Sequence, residues 1–347
     1  MNKSKNDFDH IKWKKQFEIA SKKKKSFNGI IIYRRKNMNS SKTDFDHIKW
    51  KKQFEIASKE KTGFSELRAD IFQNTIKLVK NGGYYVDGNL INISNNLLTE
   101  KTEYFTAPDK LDDNGENKTE YSVINADCLE TSEILVKSGL NPCVLNLASG
   151  QNPGGGVLYG AGAQEENIFR RSNLFLSLYQ FAPLANEYGI KKHEKNYPLD
   201  RNTGGIYSAD ITVFRGSEKN GYCLLRKPYT VSFVSVPAIN KPDLTERNGV
   251  LYIVDNLVEP TKEKIRTILR IAGKYKHDCL VLGAFGCGAF ANPPNHMAEL
   301  FREVLLENEF IKIFKIIVFS IFEDHNSNKQ HNPNGNVLPF LEVFNKL

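Results

Sequence analysis

Three short apolar runs constrain the fold of this 347-residue chain more than any other feature. They are CVLNLAS (143–149), CLVLGAF (279–285) and FKIIVFSIF (314–322). A strand with one wet face alternates apolar and polar residues. These runs do not, so they suit strands covered on both faces. Helical patterns lie around them. CLETSEILVKSG (128–139) closes on a glycine, and ENIFRRSNLFLSLYQF (166–181) reads as one amphipathic helix. EPTKEKIRTILRIAGKY (259–275) has proline near its start, and NHMAELFREVLLENEF (295–310) follows a glycine loop at 286–294. Upstream, ELRADIFQNTIKLVKNG (66–82) reads as a helix and GYYVDGNLINI (83–93) as a hairpin turning at Asp87-Gly88. YSVINA (121–126), IYSADITVFRG (206–216) and YTVSFVSVPAI (229–239) read as strands, and 106–120 as a polar loop. Strands alternating with helices imply an α/β architecture.

Two of the apolar runs lead into glycine loops. CVLNLAS is followed by GQNPGGGVLYGAGAQEE (150–166), and CLVLGAF by GCGAFANPP (286–294). In α/β sheets ligands bind off the carboxyl ends of strands, and each loop lies there, between a strand and a helix. Glycine backbone can approach an anion closely, and a following helix N-terminus adds partial positive charge. The alternative is that these glycines only make turns. A Walker loop is excluded because GGVLYGAG lacks its lysine, and the spacing does not fit a dinucleotide fingerprint. Cys287 has no arginine at a phosphate-cradling distance after it, which disfavours a thiol phosphatase.

The first loop ends in two adjacent acids, Glu165 and Glu166. At a helix start, neighbouring side chains diverge by about 100° and can flank one ligand. Two carboxylates on one turn do not straddle a sugar ring as a glycosidase pair does, so one would serve as acid/base and the other as positioner. Both could instead cap a helix dipole.

Charge and composition narrow the classes. Residues 1–64 hold 18 Lys/Arg and 7 Asp/Glu, whereas the rest holds 30 and 33. The basic excess is therefore N-terminal, and the body has no general footprint for nucleic acid. DFDHIKWKKQFEIASK occurs at 7–22 and again at 44–59, a period of 37. Two copies are too few for a solenoid, so the repeat reads as a duplicated N-terminal extension (1–64), partly helical or disordered, ahead of a body at 65–347. Its lysine run at 22–25 could serve as a targeting or polyanion-binding arm. Five cysteines without a CxxC pair argue for a reducing, intracellular compartment and against a disulfide framework or zinc site. No apolar window is long enough to span a membrane, and the charged N-terminus is no secretory signal.

NLASGQNPGGGVLYGAGAQEE resembles the signature of the microbial-type poly(ADP-ribose) glycohydrolases, a branch of the macrodomain fold. Gly154-Gly155-Gly156 is followed, after seven intervening residues, by Gln164-Glu165-Glu166. RADIFQNTIKLVKNGGYY, VINADCLETSEIL, YSADITVFRG, GAFGCGAFANPP and FKIIVFSIFED fall in the family's order, so the resemblance covers about residues 65–345. It implies a three-layer mixed sheet flanked by helices, with an N-terminal helical extension. It also implies hydrolysis of the ribose–ribose bond, mainly from chain ends, with no metal and no cofactor.

Glu166 would be the general acid/base, Glu165 would hold the ribose hydroxyls and Gln164 would support the loop. The triple glycine would approach the distal ribose and diphosphate, with Gly286 and Gly288 on the diphosphate. Phe290, Asn146 and Asn152 would lie at the ribose, Asp127 at the adenine amino group and Phe322 stacked on the adenine. Expected partners are poly(ADP-ribose) and ADP-ribosylated proteins, with ADP-ribose as product, no membrane and no nucleic acid. The expected state is a cytoplasmic monomer, or a nuclear one in a eukaryote. The chain departs from the family at Tyr207-Ser208-Ala209, where proline is usual. A non-cleaving ADP-ribose reader and a mono-ADP-ribosyl hydrolase are the alternatives.

Overall fold

The computed structural model describes residues 45–95, 98–112, 115–323 and 327–345. The first copy of the repeat and the lysine run lie outside these residues. In chain order come α1 (His47–Glu60), α2 (Phe64–Lys80), β1 (Gly83–Val86), β2 (Asn89–Asn92), β3 (Thr102–Phe105) and β4 (Glu120–Ile124). Then follow α3 (Cys128–Lys137), β5 (Pro142–Leu147), α4 (Gln164–Arg171), α5 (Leu174–Leu178), β6 (Gly205–Arg215) and β7 (Leu224–Val236). The chain continues through β8 (Leu244–Arg247), β9 (Val250–Ile253), α6 (Asp255–Lys274), β10 (Cys279–Leu282), α7 (Pro294–Leu305), β11 (Ile316–Ser320) and α8 (Val337–Phe344).

The three apolar runs form adjacent central strands. The main sheet has the order β3-β6-β7-β5-β10-β11-β4. From β7 to β4 all neighbours are parallel, while β6 is antiparallel to both β7 and β3. The sheet is therefore mixed, and the carboxyl ends of five strands share one edge.

Alternate residues of these strands feed two cores. Val144, Val281 and Val318 face Phe72, Leu129, Ile168, Phe169 and Phe175 from α2 to α5. Cys143, Leu145, Leu280, Leu282, Ile317 and Phe319 face Ile268, Met297, Phe301 and Phe340 from α6, α7 and α8. Two buried faces leave no room for polar alternation, which is why the runs are continuous. The result is a three-layer α/β domain.

The hairpin β1-β2 turns at Asp87-Gly88, both with positive φ (50° and 80°), as a two-residue primed turn requires. The segment 166–181 differs from the single helix expected. It breaks after Arg171, because Ser172 is extended and Asn173 exchanges hydrogen bonds with the Thr212 backbone of β6. The departure at Tyr207-Ser208-Ala209 leads into a register shift in β6, where Asp210 has φ 55°. The hairpin β8-β9 and helix α8 were not apparent in the sequence.

Helix α1 covers most of the second repeat copy. Asp46 caps it by accepting from the Ile48 and Lys49 N–H groups. Its Trp50 is buried with Ile71 and Tyr222, and the indole donates to the Leu67 carbonyl at 3.0 Å. Among the described residues no helix is long and apolar enough to cross a membrane, and no group of His, Cys, Asp and Glu could hold a metal ion.

Candidate active site

Helix α4 begins at Gln164, so Glu165 and Glu166 sit in its first turn, where the carboxylates complement the helix dipole. Both are buried, at 3% and 7% exposure. That is costly for carboxylates unless donors meet them. Glu165 receives three: the N–H of Ser149 at 2.7 Å, the N–H of Gly154 at 3.0 Å and the Asn146 amide at 3.3 Å. Glu166 receives one, the N–H of Gly156 at 2.8 Å on Oε1. Its Oε2 is buried without a partner, and so is Oδ1 of Asn146. Burial, and then the neighbouring Glu166 charge, push Glu165 up to about 8 against its three donors. The two carboxyls thus form a pair that holds one proton at neutral pH.

The first glycine loop is accordingly a carboxylate holder. Gly154 and Gly155 have φ of 79° and 52°. A Cβ on Gly154 would lie 2.6 Å from the Phe169 ring, and one on Gly155 would lie 2.4 Å from Oε1 of Glu166. The loop needs glycine because its backbone wraps the two acids. Its N–H groups are used internally, since Gly155 donates to Asn152 O and the other two donate to the carboxylates. Gln164 fixes the strand beneath: its Oε1 accepts from Leu147 N–H and its amide donates to Leu145 O.

The second loop has the opposite polarity. The carbonyls of Gly286, Cys287, Gly288 and Phe290 all accept hydrogen bonds from the protein. Among the described residues the N–H groups of Gly286, Gly288, Ala289 and Phe290 donate to none. A loop that turns its carbonyls inward and leaves its N–H groups free is an anion cradle. Gly286 has φ 75°, and a Cβ there would meet Asn292 and Ala238 at 2.5 and 2.6 Å.

The other sequence-predicted residues share this edge of the sheet. Asn152 is exposed in the first loop and Phe290 is half-buried in the second. Phe322 follows β11 and is 63% exposed. Asp127 caps α3 through the N–H groups of Leu129 and Glu130, and it pairs with Arg171 at 2.7 Å. Asn167 also donates to it at 3.2 Å. Burial opposes its charge, but Arg171 and the capping N–H groups outweigh burial and hold the carboxyl below its usual range. Asp127 is thus firmly tied into the protein. Sequence reasoning did not anticipate Ser149, Arg171 or Asn292. Asn292 stands inside the quoted motif GCGAFANPP, but its amide bonds to Ile239, Gly286 and Phe290 depend on the loop's fold.

Residues 72–216 match the family model described as the microbial-type PARG catalytic domain. These 145 of the chain's 347 residues are similar to that domain. The structure resembles poly(ADP-ribose) glycohydrolase from Thermomonospora curvata bound to the inhibitor ADP-HPD, at 27% identity and TM-score 0.62, covering 80% of this chain and 99% of the other. It also resembles the enzyme from Deinococcus radiodurans in complex with ADP-ribose, at 26% identity and TM-score 0.56, covering 74% of this chain and 100% of the other. No curated protein matches the sequence. The paired acids, their glycine wrap and the second loop lie at the carboxyl edge of a sheet whose fold is similar to that of these glycohydrolases.

Proposed function

We propose that this protein hydrolyses the ribose–ribose O-glycosidic bond of poly(ADP-ribose), mainly from chain ends, releasing ADP-ribose. The observation that carries this reading is the asymmetry of the acid pair. Glu165 has donors on both oxygens, whereas Glu166 keeps one buried oxygen without a partner. Glu166, whose Oε2 no N–H occupies, is thus the member of the pair placed to act on a substrate oxygen. Glu166 gives a proton to the leaving ribose oxygen as the glycosidic bond breaks. Water attacks the oxocarbenium-like carbon, and Glu166 takes a proton from that water, which restores the acid. Glu165 holds the ribose hydroxyls, aided by Asn146 and Asn152.

The free N–H groups of Gly286 and Gly288 take the diphosphate. Phe290 orients the terminal ribose, and Phe322 stacks on the adenine. Asp127 contributes at the adenine end while serving as helix cap. The scheme uses no metal and no cofactor. The domain begins near residue 65, with residues 1–64 as an extension. The protein would act on ADP-ribosylated proteins in a reducing, cytoplasmic setting, consistent with five unpaired cysteines.

The test is incubation with poly(ADP-ribose) and analysis of products. Wild-type protein releases ADP-ribose. Glu166→Gln keeps the Gly156 hydrogen bond but loses the proton donor, so release falls by about 10²–10⁴ while calorimetry still detects ADP-ribose binding. Normal turnover by the variant would exclude Glu166 as the acid, and tight binding with no release by wild type would make the protein a reader.

A further inference from the structure

We propose that His331, on the segment after β11, is a positioning residue for the anion cradle. It acts by fixing the direction of one peptide. His331 Nε2 meets the Cys287 carbonyl oxygen at 2.9 Å, and the fully buried Asn332 amide approaches the same oxygen at 3.4 Å. In a planar trans peptide the C=O and the following N–H point in opposite directions. Pinning Cys287 O toward His331 therefore aims the Gly288 N–H away from it, and that N–H has no acceptor among the described residues. Gly288 has no Cβ to resist rotation of this peptide, so the orientation must be imposed from outside.

The platform beneath His331 is itself tied down. The Asn332 amide donates to Asn336 Oδ1 at 2.9 Å, and the Lys329 N–H donates to Asn332 Oδ1 at 2.8 Å. Glu323 accepts from the Asn336 and Val337 N–H groups, both at 2.6 Å, and from the Ser327 hydroxyl. His331 is half-buried and makes no contact that the acid pair needs. On the opposite flank, Asn292 holds the Gly286 and Phe290 carbonyls inward. The two flanks together turn the loop's carbonyls into the protein, while the N–H groups of Gly286, Gly288, Ala289 and Phe290 have no acceptor among the described residues. The ligand class is a diphosphate ester. This inference rests on the reading that the second loop takes the diphosphate of ADP-ribose.

Two space-filling replacements in the full chain separate the donor from the packing. His331→Gln retains an amide N–H able to reach Cys287 O, and His331→Leu does not. We expect His331→Leu to weaken ADP-ribose binding by calorimetry and to raise KM for poly(ADP-ribose), each by roughly tenfold, the effect of one lost hydrogen bond to an anion site. Its kcat should stay within about twofold, because Glu165 and Glu166 are untouched. His331→Gln should recover most of the affinity. A structural role alone would lower the Tm of His331→Leu and leave KM and Kd unchanged, and that result overturns the proposal. Equal loss in both variants overturns it as well. Should wild-type protein fail to bind ADP-ribose, the functional reading falls and the assignment of His331 falls with it.

Discussion

Glu165 and Glu166 are neighbours in sequence that differ in what surrounds them. Three donors meet Glu165, and a single N–H meets Glu166. This difference separates their roles more clearly than their order in the chain does, and it carries a pH signature. Glu165 is pushed up to about 8 from a value of 4.5 by burial and by Glu166 beside it. The folded state therefore binds a proton more tightly than the unfolded chain does. That contribution to stability is fully present below about pH 4.5 and is lost as pH rises through about 8. Two outcomes follow. The kcat should fall by about tenfold per pH unit above about pH 8, as the pair loses the proton it must donate. The Tm should decline over the same range, and Glu166→Gln, which removes one of the two charges, should flatten that decline. A kcat level from pH 7 to 10 would show that the pair is not the acid.

Elements explain why some of this was legible in the sequence and some was not. The strands were legible because central parallel strands bury both faces, so CLVLGAF and FKIIVFSIF carry the signal in composition alone. The GGG–QEE spacing marked the site, yet the physical role of its glycines differs from a phosphate loop. Gly154 and Gly156 hold carboxylates, and Gly286, Gly288, Ala289 and Phe290 supply the N–H groups that no described residue accepts. Glycine count cannot distinguish these, because the direction of a peptide N–H depends on φ and on distant partners such as Asn292 and His331. The break after Arg171 was hidden for a similar reason, since Asn173 exchanges its helical bonds for the edge of β6. A substitution pair tests the loop's role. In Gly155→Ala the new Cβ would sit 2.4 Å from Oε1 of Glu166 at φ 52°, so the acid must move. We expect at least a tenfold loss of kcat with about 1–3 kcal/mol of destabilisation. Gly189→Ala, at φ 72° with nothing within 4 Å of the new atom, meets only backbone strain. It should cost about 1 kcal/mol and leave kcat unchanged.

At the scale of the whole molecule, the acid pair is connected to the N-terminal helix by a continuous set of buried contacts. Trp50 of α1 packs edge-on against Tyr222 at 5.1 Å between ring centres. The Tyr222 hydroxyl accepts from Arg170 Nε at 2.8 Å and donates to Glu218, which also holds Arg68 in a two-point ion pair. Arg170 lies one turn after Glu166 on α4, and its Nη1 donates to the Ala161 carbonyl at 2.7 Å, inside the loop that joins the triple glycine to Gln164. The same loop lies against the start of α2, where a Cβ on Gly160 would fall 1.8 Å from the Ser65 carbonyl oxygen. Backbone packed this closely has few alternative arrangements, so a shift of α2 is passed to the catalytic turn. Trp50→Ala empties a site that is only 5% exposed and should destabilise the fold by about 3–5 kcal/mol. It should also lower kcat severalfold at temperatures well below its Tm, with the alkaline fall of kcat still near pH 8, because the acid pair keeps its donors while Arg170 loses the support beneath Tyr222. Trp50→Phe, which keeps a ring against Tyr222 but not the hydrogen bond to Leu67, should restore kcat more fully than stability. If Trp50→Ala lowers Tm alone and leaves kcat at the wild-type value, α1 is a lid on the core and the path to Ala161 carries no functional coupling.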